Sequence, residues 1–104
     1  MPDRISIRPE DHQVVAEILR MHLPPEAQVW VFGSRARGTD KRAADLDLAI
    51  DAGRRLTPDE MLTLELAFEE SVLPYRVDVV DRQNIEGIFR ENLLQDAVIF
   101  TQPD

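Results

Sequence analysis

The feature that most constrains the fold is a short, uninterrupted apolar run at residues 29–32, VWVF, which ends at Gly33. Valine and aromatic residues favour strands, and a strand that is apolar at every position is typical of one covered on both faces of a sheet. We therefore predict that residues 29–32 form a central strand. Burial of the Trp30 and Phe32 rings is a better expectation than their stacking on a base.

Two further strands are predicted, and both carry aspartates. Residues 45–50 alternate acidic or small residues with large aliphatic ones, so Asp45 and Asp47 project from the same face. Residues 77–80 form another β-rich run that includes Asp78. If these two strands pair side by side, a third carboxylate joins the first two.

Helical spacing marks the segments around these strands. Apolar side chains recur every three or four positions over residues 9–23, and Pro24 and Pro25 stop that helix. Thr57 and Glu60 match a capping box that begins a second helix. Its inward stripe is predicted to comprise four residues, Met61, Leu64, Phe68 and Val72.

The C-terminal part predicts a third helix. Asn84 is suited to its N-cap, the helix runs to about Gln95, and residues 98–100 follow as an extended apolar end. The predicted order is helix, strand, strand, helix, strand, helix, which is an α/β fold with a small mixed sheet flanked by helices. A chain of 104 residues with 43% hydrophobic residues has room for one core, so residues 1–104 are expected to form a single domain.

Charge and composition exclude several functional classes. Asp and Glu number 20 against 12 Lys and Arg, and the resulting formal charge of -8 disfavours direct nucleic-acid binding. With Cys absent and only 2 His, any bound metal is expected to have oxygen ligands. The N-terminus lacks the apolar stretch of a signal peptide and no run is long enough to span a membrane, so we expect no membrane association and a cytoplasmic protein.

Asp45, Asp47 and Asp78 are the candidate metal ligands. Two like charges about 4 Å apart repel by about 4 kcal/mol at an effective dielectric of about 20, and a bound cation relieves that repulsion. Oxygen ligands favour Mg²⁺, which completes its shell with waters and phosphates. For a single Asp-x-Asp motif, aspartates that are simply solvated at a strand end are the more common case, and only the neighbouring motifs change that interpretation.

A phosphate-binding turn is predicted at Gly33 and Ser34, directly after the first strand. The glycine lets backbone amides approach a ligand closely, and the serine hydroxyl adds a donor for a phosphate oxygen. On its own the dipeptide is more often an ordinary turn, and the stretch lacks the Gly-Lys-Ser/Thr ending of a P-loop.

These motifs together resemble a known signature. The stretch VFGSRARGTDKRAADLDLAID is similar to the nucleotidyltransferase signature of the polymerase-beta-like superfamily, which commonly reads GSxARG, a polar spacer and then S-D-[IL]-D-L. Length and element order resemble those of the minimal nucleotidyltransferase (MNT) family, whose members are typically encoded with a HEPN-domain partner as toxin–antitoxin pairs. The expected fold is thus the minimal polymerase-beta-like nucleotidyltransferase fold.

The resemblance implies a role for each motif residue. Gly33, Ser34 and Arg37 would bind the nucleotide triphosphate. The catalytic ligands of two Mg²⁺ ions would be the three aspartates, Asp45, Asp47 and Asp78. Ala44 stands where the family often has Ser, so a hydroxyl that could brace the site is missing. The spacer also holds a basic cluster whose position favours attraction of ATP or an acidic partner over a plain solvated surface, namely Arg35, Arg37, Lys41 and Arg42.

The resemblance also implies an activity. An MNT antitoxin would transfer AMP from ATP to a tyrosine of the HEPN ribonuclease toxin and so neutralise it, in a hetero-oligomeric complex. Two alternatives stay open: an antitoxin that masks the toxin without catalysis, and a metal- or nucleotide-sensing domain. The sequence leaves open the preferred nucleotide, the number of AMP groups and the stoichiometry.

Overall fold

The computed structural model describes residues 7–33, 45–84 and 97–100. Its strands form one four-stranded sheet in the order β3-β2-β1-β4. The elements in chain order are α1 (Pro9–His22), β1 (Gln28–Phe32), β2 (Leu46–Asp51), α2 (Pro58–Glu69), β3 (Val77–Asp81), a 3-10 turn (Arg82–Asn84) and β4 (Val98–Ile99).

The sheet is mixed, as predicted. Strand β1 pairs antiparallel with both β2 and β4, whereas β2 and β3 are parallel and are connected through α2. A parallel pair needs such a crossover because the chain must return to the same end of the sheet. Strand β1 therefore has a neighbour on each side, which confirms its prediction as a central strand.

Burial of β1 differs from the prediction on one face. Val29 and Val31 are buried, but Trp30 and Phe32 on the opposite face are only half-buried. Trp30 instead lies under the guanidinium of Arg82, whose carbon is 4.7 Å from the ring centroid. The prediction that both faces of β1 are fully buried was wrong, because aromatic residues are also common on a strand face that is partly exposed to solvent.

Helix α1 follows the predicted bounds closely. Its proline lies in the first turn, and the helix stops one residue before Leu23, whose backbone N–H still donates to the Leu19 carbonyl. Asp11, in the first turn of the helix, is 4% exposed and accepts hydrogen bonds from Arg8 and from the Tyr75 hydroxyl, the latter at 3.1 Å. This carboxylate thus joins α1 to the segment that leads into β3.

Helix α2 begins with the predicted capping box. The Thr57 hydroxyl accepts from the Glu60 backbone N–H, and the Glu60 carboxylate accepts from the Thr57 N–H. The helix ends at Glu69, before the predicted stripe is complete, and Val72 is 84% exposed. Placing Val72 in the inward stripe was wrong because the helical period no longer applies beyond the last helical residue.

One core occupies one face of the sheet, where α1 and α2 pack against it. Each fully buried aliphatic side chain of this kind contributes roughly 1.5–3 kcal/mol to folding. The largest fully buried side chains come from all these elements: Val15, Leu19, Val31, Leu46, Leu48, Ile50 and Leu64.

The C-terminal residues supply the fourth strand. The predicted extended end is observed as β4, and the Phe100 backbone N–H donates to the Val29 carbonyl at 2.8 Å. Asn84 lies in the 3-10 turn, and the helix predicted to follow it to Gln95 lies outside the described residues. Among the helices that are described, none has the length and apolarity needed to cross a membrane.

Candidate functional site

Strand register brings two of the three predicted aspartates together. Asp47 on β2 is the direct partner of Asp78 on β3. Paired residues of neighbouring strands share a face, so both carboxylates rise from the side of the sheet opposite the core. Asp45 precedes β2 by one residue, is exposed, and alternation places it on the same side as Asp47.

A glycine turn lies directly against the Asp47 carboxylate. Phe32, the last residue of β1, is the register partner of Asp47, and Gly33 follows with φ of +75°. A Cβ at Gly33 would collide with Oδ2 of Asp47 and lie 3.4 Å from its Cγ. Only glycine satisfies both conditions, since other residues rarely adopt this φ and none lacks a Cβ. Gly33 therefore adjoins the Asp47 carboxylate, and Ser34, the other residue of the predicted turn, lies outside the described residues.

Asp78 has a partner that sequence reasoning missed. Its Oδ1 lies 3.1 Å from Nε of Arg76, and both side chains are substantially exposed, at 40% and 77% respectively. The Arg76 carbonyl also accepts a hydrogen bond from the Leu46 backbone N–H at 2.9 Å, which ties the start of β2 to the approach to β3. The spacing of Arg and Asp two positions apart on an alternating strand could have indicated this pair.

The donor chemistry of this face fits Mg²⁺. Asp45 and Asp47 supply two carboxylates on one face, and Mg²⁺ takes one or two carboxylates with waters and phosphates completing its shell. Within residues 7–33, 45–84 and 97–100, however, no group of three or more acidic or histidine side chains is placed to hold a metal ion. Asp78 is turned toward Arg76. Backbone register therefore brings Asp47 and Asp78 together, but the three predicted aspartates do not form a metal-binding cluster.

The other predicted site residues lie outside the described part of the chain. These residues are Ser34, Arg35, Arg37, Lys41, Arg42 and Ala44. Their expected contacts with a triphosphate remain predictions from the sequence.

A second polar network at the far end of the same strands was not foreseen. Asp81 is 6% exposed on the core side, where its Oδ2 accepts from the Leu56 N–H at 2.7 Å and its Oδ1 accepts from the Gln83 N–H at 2.9 Å. Arg82 reaches Oδ2 of Asp51 at 3.5 Å. A carboxylate at an inward position of an alternating strand is itself a signal, because a buried charge requires donors. This network shapes the β2–α2 loop.

Two aspartates lie on adjacent strands of a small mixed sheet, and a glycine turn closes on one of them. The chain belongs to the family described as Polymerase beta, Nucleotidyltransferase, whose profile matches residues 13–104. This result and the sheet topology confirm the predicted fold class and family.

Individual relatives agree with this assignment. The chain is 37% identical over 101 residues to "Probable protein adenylyltransferase MntA" of Haemophilus influenzae, covering 97% of this chain and 88% of the relative. A solved toxin–antitoxin with AMP-PNP superposes with a TM-score of 0.74 at 22% identity, covering 90% of this chain and 75% of that one, which shows a shared fold. A structure described as a minimal nucleotidyltransferase matches with a TM-score of 0.65 at 31% identity, covering 86% and 88% of the two chains.

Proposed function

We propose that this nucleotidyltransferase is the antitoxin of a HEPN/MNT pair and transfers AMP from ATP to a tyrosine of its HEPN ribonuclease partner. The observation that carries the proposal is the pairing of Asp47 with Asp78 beside the Gly33 turn. This arrangement offers metal-binding oxygens next to a turn whose backbone can approach a phosphate. The names of the relatives support the same reaction class, since one is described as a protein adenylyltransferase and another belongs to a toxin–antitoxin.

Each carboxylate has a distinct task in this proposal. Asp45 and Asp47 would hold Mg²⁺ against the triphosphate, and Gly33 with Ser34 and Arg37 would bind its oxygens. Bound Mg²⁺ offsets the charge of the phosphates and makes the acceptor hydroxyl more acidic. Asp78, on the neighbouring strand, would face the acceptor.

The transfer itself needs no covalent enzyme intermediate. The tyrosine oxygen attacks the α-phosphorus while the bond from that phosphorus to the bridging oxygen breaks, and pyrophosphate leaves with the bonding electrons. The tyrosine proton passes to the Asp78 carboxylate, which is 40% exposed and open to a partner. For this step Asp78 must exchange its contact with Arg76 for the acceptor.

Two observations favour the non-catalytic alternative, in which the antitoxin only masks its toxin. Asp78 is engaged by Arg76, and no three-residue metal group is formed among the described residues. The two functions differ in one measurable product, which is AMP on the partner.

Mass spectrometry of the partner after incubation with ATP and Mg²⁺ distinguishes them. We expect a mass increase of one or more AMP groups on tyrosine with the wild type, and none with Asp47→Asn. Titration calorimetry should also show that ATP binds the wild type more tightly with Mg²⁺ than without it, and that Asp47→Asn loses this difference. Neutralisation of the partner without added AMP would establish masking instead.

A further inference from the structure

A groove of about 460 Å³ opens beside Asp78, between the second half of α2 and the start of β3. Its base is apolar and includes Phe68, which is 4% exposed, and the partly buried Leu73. Tyr75, whose hydroxyl donates to buried Asp11, forms part of the wall. The groove therefore rests on buried and partly buried residues and reaches Asp78 at the edge of the sheet that β3 forms.

The rim of this groove is acidic. Glu65 and Glu69 are one helical turn apart on α2, and both are exposed. Neither forms a salt bridge with any residue in the stretches that the structure describes. Arg76 also lines the groove, but its guanidinium is already paired with Asp78. The groove thus presents two carboxylates for which an incoming cation is the natural complement.

We propose that this groove binds the acceptor segment of the partner protein, with an aromatic hydroxyl at the Asp78 end and an Arg or Lys side chain opposite Glu65 and Glu69. The apolar base suits the ring of such a residue, and the acidic rim selects basic neighbours. This inference rests on the proposed function, because it takes Asp78 to be the carboxylate that faces the acceptor.

A second copy of this chain is a poor occupant. The chain carries a formal charge of -8, so a self-association through this rim would bring like charges together. The charge of the rim therefore disfavours a rim-to-rim dimer and suits a different protein that carries a basic segment around its acceptor.

Two synthetic peptides test the inference. Each contains a single tyrosine; in one the flanking residues are Arg and Lys, and in the other they are Glu. Binding without ATP is measured by fluorescence anisotropy, and AMP transfer is measured by mass spectrometry as initial rates. The variants are Glu65→Lys with Glu69→Lys, and the milder Glu65→Gln with Glu69→Gln, all at exposed helix positions where folding should persist.

The matched control reverses two exposed carboxylates that lie away from the groove, Glu17→Lys with Glu26→Lys. We expect the wild type and this control to bind the basic peptide about tenfold more tightly than the acidic one. The groove Lys variant should reverse that preference, and the Gln variant should abolish it. In transfer, KM for the basic peptide should rise about tenfold in the groove variants with kcat unchanged, since these carboxylates contact the acceptor's neighbours.

The two proposals fail in different ways. Equal binding of both peptides to the wild type, or a preference that the groove variants leave intact, would overturn the groove assignment whether or not AMP is transferred. A charge preference that depends on Glu65 and Glu69, with no AMP on any acceptor, would uphold the groove and overturn the proposed transfer.

Discussion

The backbone of Gly33 lies so close to the Asp47 carboxylate that a methyl group at position 33 would overlap Oδ2. Two strands create this approach, because Phe32 and Asp47 are register partners on β1 and β2. The turn that is expected to receive phosphate and the carboxylate that is expected to hold Mg²⁺ are thereby in direct contact. A substitution at either residue is therefore expected to displace the other.

Gly33→Ala should damage the site more than the fold. Both Gly33 and Gly53 have positive φ, at 75° and 82°, so alanine at either position costs about 1–2 kcal/mol of stability from backbone strain. Only at Gly33 does the new Cβ meet Asp47, whereas nothing lies within 4 Å at Gly53. We expect Mg-ATP affinity by calorimetry to fall at least about tenfold in Gly33→Ala and to be unchanged in Gly53→Ala. Equal affinities in the two variants would show that the Gly33 contact does not matter for binding.

Asp78→Asn should separate nucleotide binding from transfer. We expect Mg-ATP affinity to stay within about twofold of wild type while the AMP-transfer rate falls by about 10²–10⁴, the usual contribution of a positioned acid or base. Arg76→Gln removes the partner of Asp78 but keeps the carboxylate, so it should retain transfer. Initial rates by mass spectrometry, beside calorimetry, check both variants; wild-type transfer by Asp78→Asn would refute the role given to this residue.

Acid should weaken the start of α2 through Glu60. Bonds from Arg54, at 2.6 and 2.8 Å, and from the Thr57 backbone lower the Glu60 pKa from 4.5 to about 2. A lowered pKa stabilises the folded state above pH 4.5, and this stabilisation is lost as pH falls from 4.5 toward 2. Tm measured across this window should therefore decline less steeply in Glu60→Gln than in wild type. Glu17→Gln, at an exposed position, should follow the wild-type slope; parallel slopes for all three proteins would contradict the assignment.

Asp81→Ala should destabilise the fold without touching the candidate site. The substitution leaves the buried N–H of Leu56 without its acceptor, at a cost of about 1–3 kcal/mol. Asp59→Ala, at an exposed position in the first turn of α2, should cost at most about 1 kcal/mol from the lost interaction with the helix dipole. Urea unfolding with unchanged m values measures both differences. A loss for Asp81→Ala no larger than that for Asp59→Ala would mean that these hydrogen bonds contribute little.

Local patterns were sufficient where structure is local. The bounds of α1 and the capping box at Thr57 and Glu60 depend on residues a few positions apart, and both were predicted. Alternation also placed Asp45 and Asp47 on one face before any strand partner was known. The alternating pattern within β2 does not show which strand pairs with it. The structure shows that β3 does, with Asp78 opposite Asp47.

Long-range pairing explains most of what the sequence did not reveal. Strand β4 has two residues and exists as a strand because β1 offers a free edge, so its local pattern is too short to be diagnostic. The burial of Asp81 depends on the Leu56 N–H, twenty-five positions away. The Arg76–Asp78 pair depends on the side-chain conformations adopted at an exposed sheet edge, and strand propensity does not predict these conformations. The Ser34 and Arg37 contacts remain predictions from the family resemblance.

The parallel pairing of β2 with β3 has a consequence for the order in which this protein is made. Asp47 emerges from the ribosome first, and all of α2 must follow before Asp78 can pair beside it. A growing chain that has not yet produced β3 carries the glycine turn and one strand of the site but lacks its opposite carboxylate. If Asp78 faces the acceptor as proposed, a translation product that ends before β3 cannot transfer AMP.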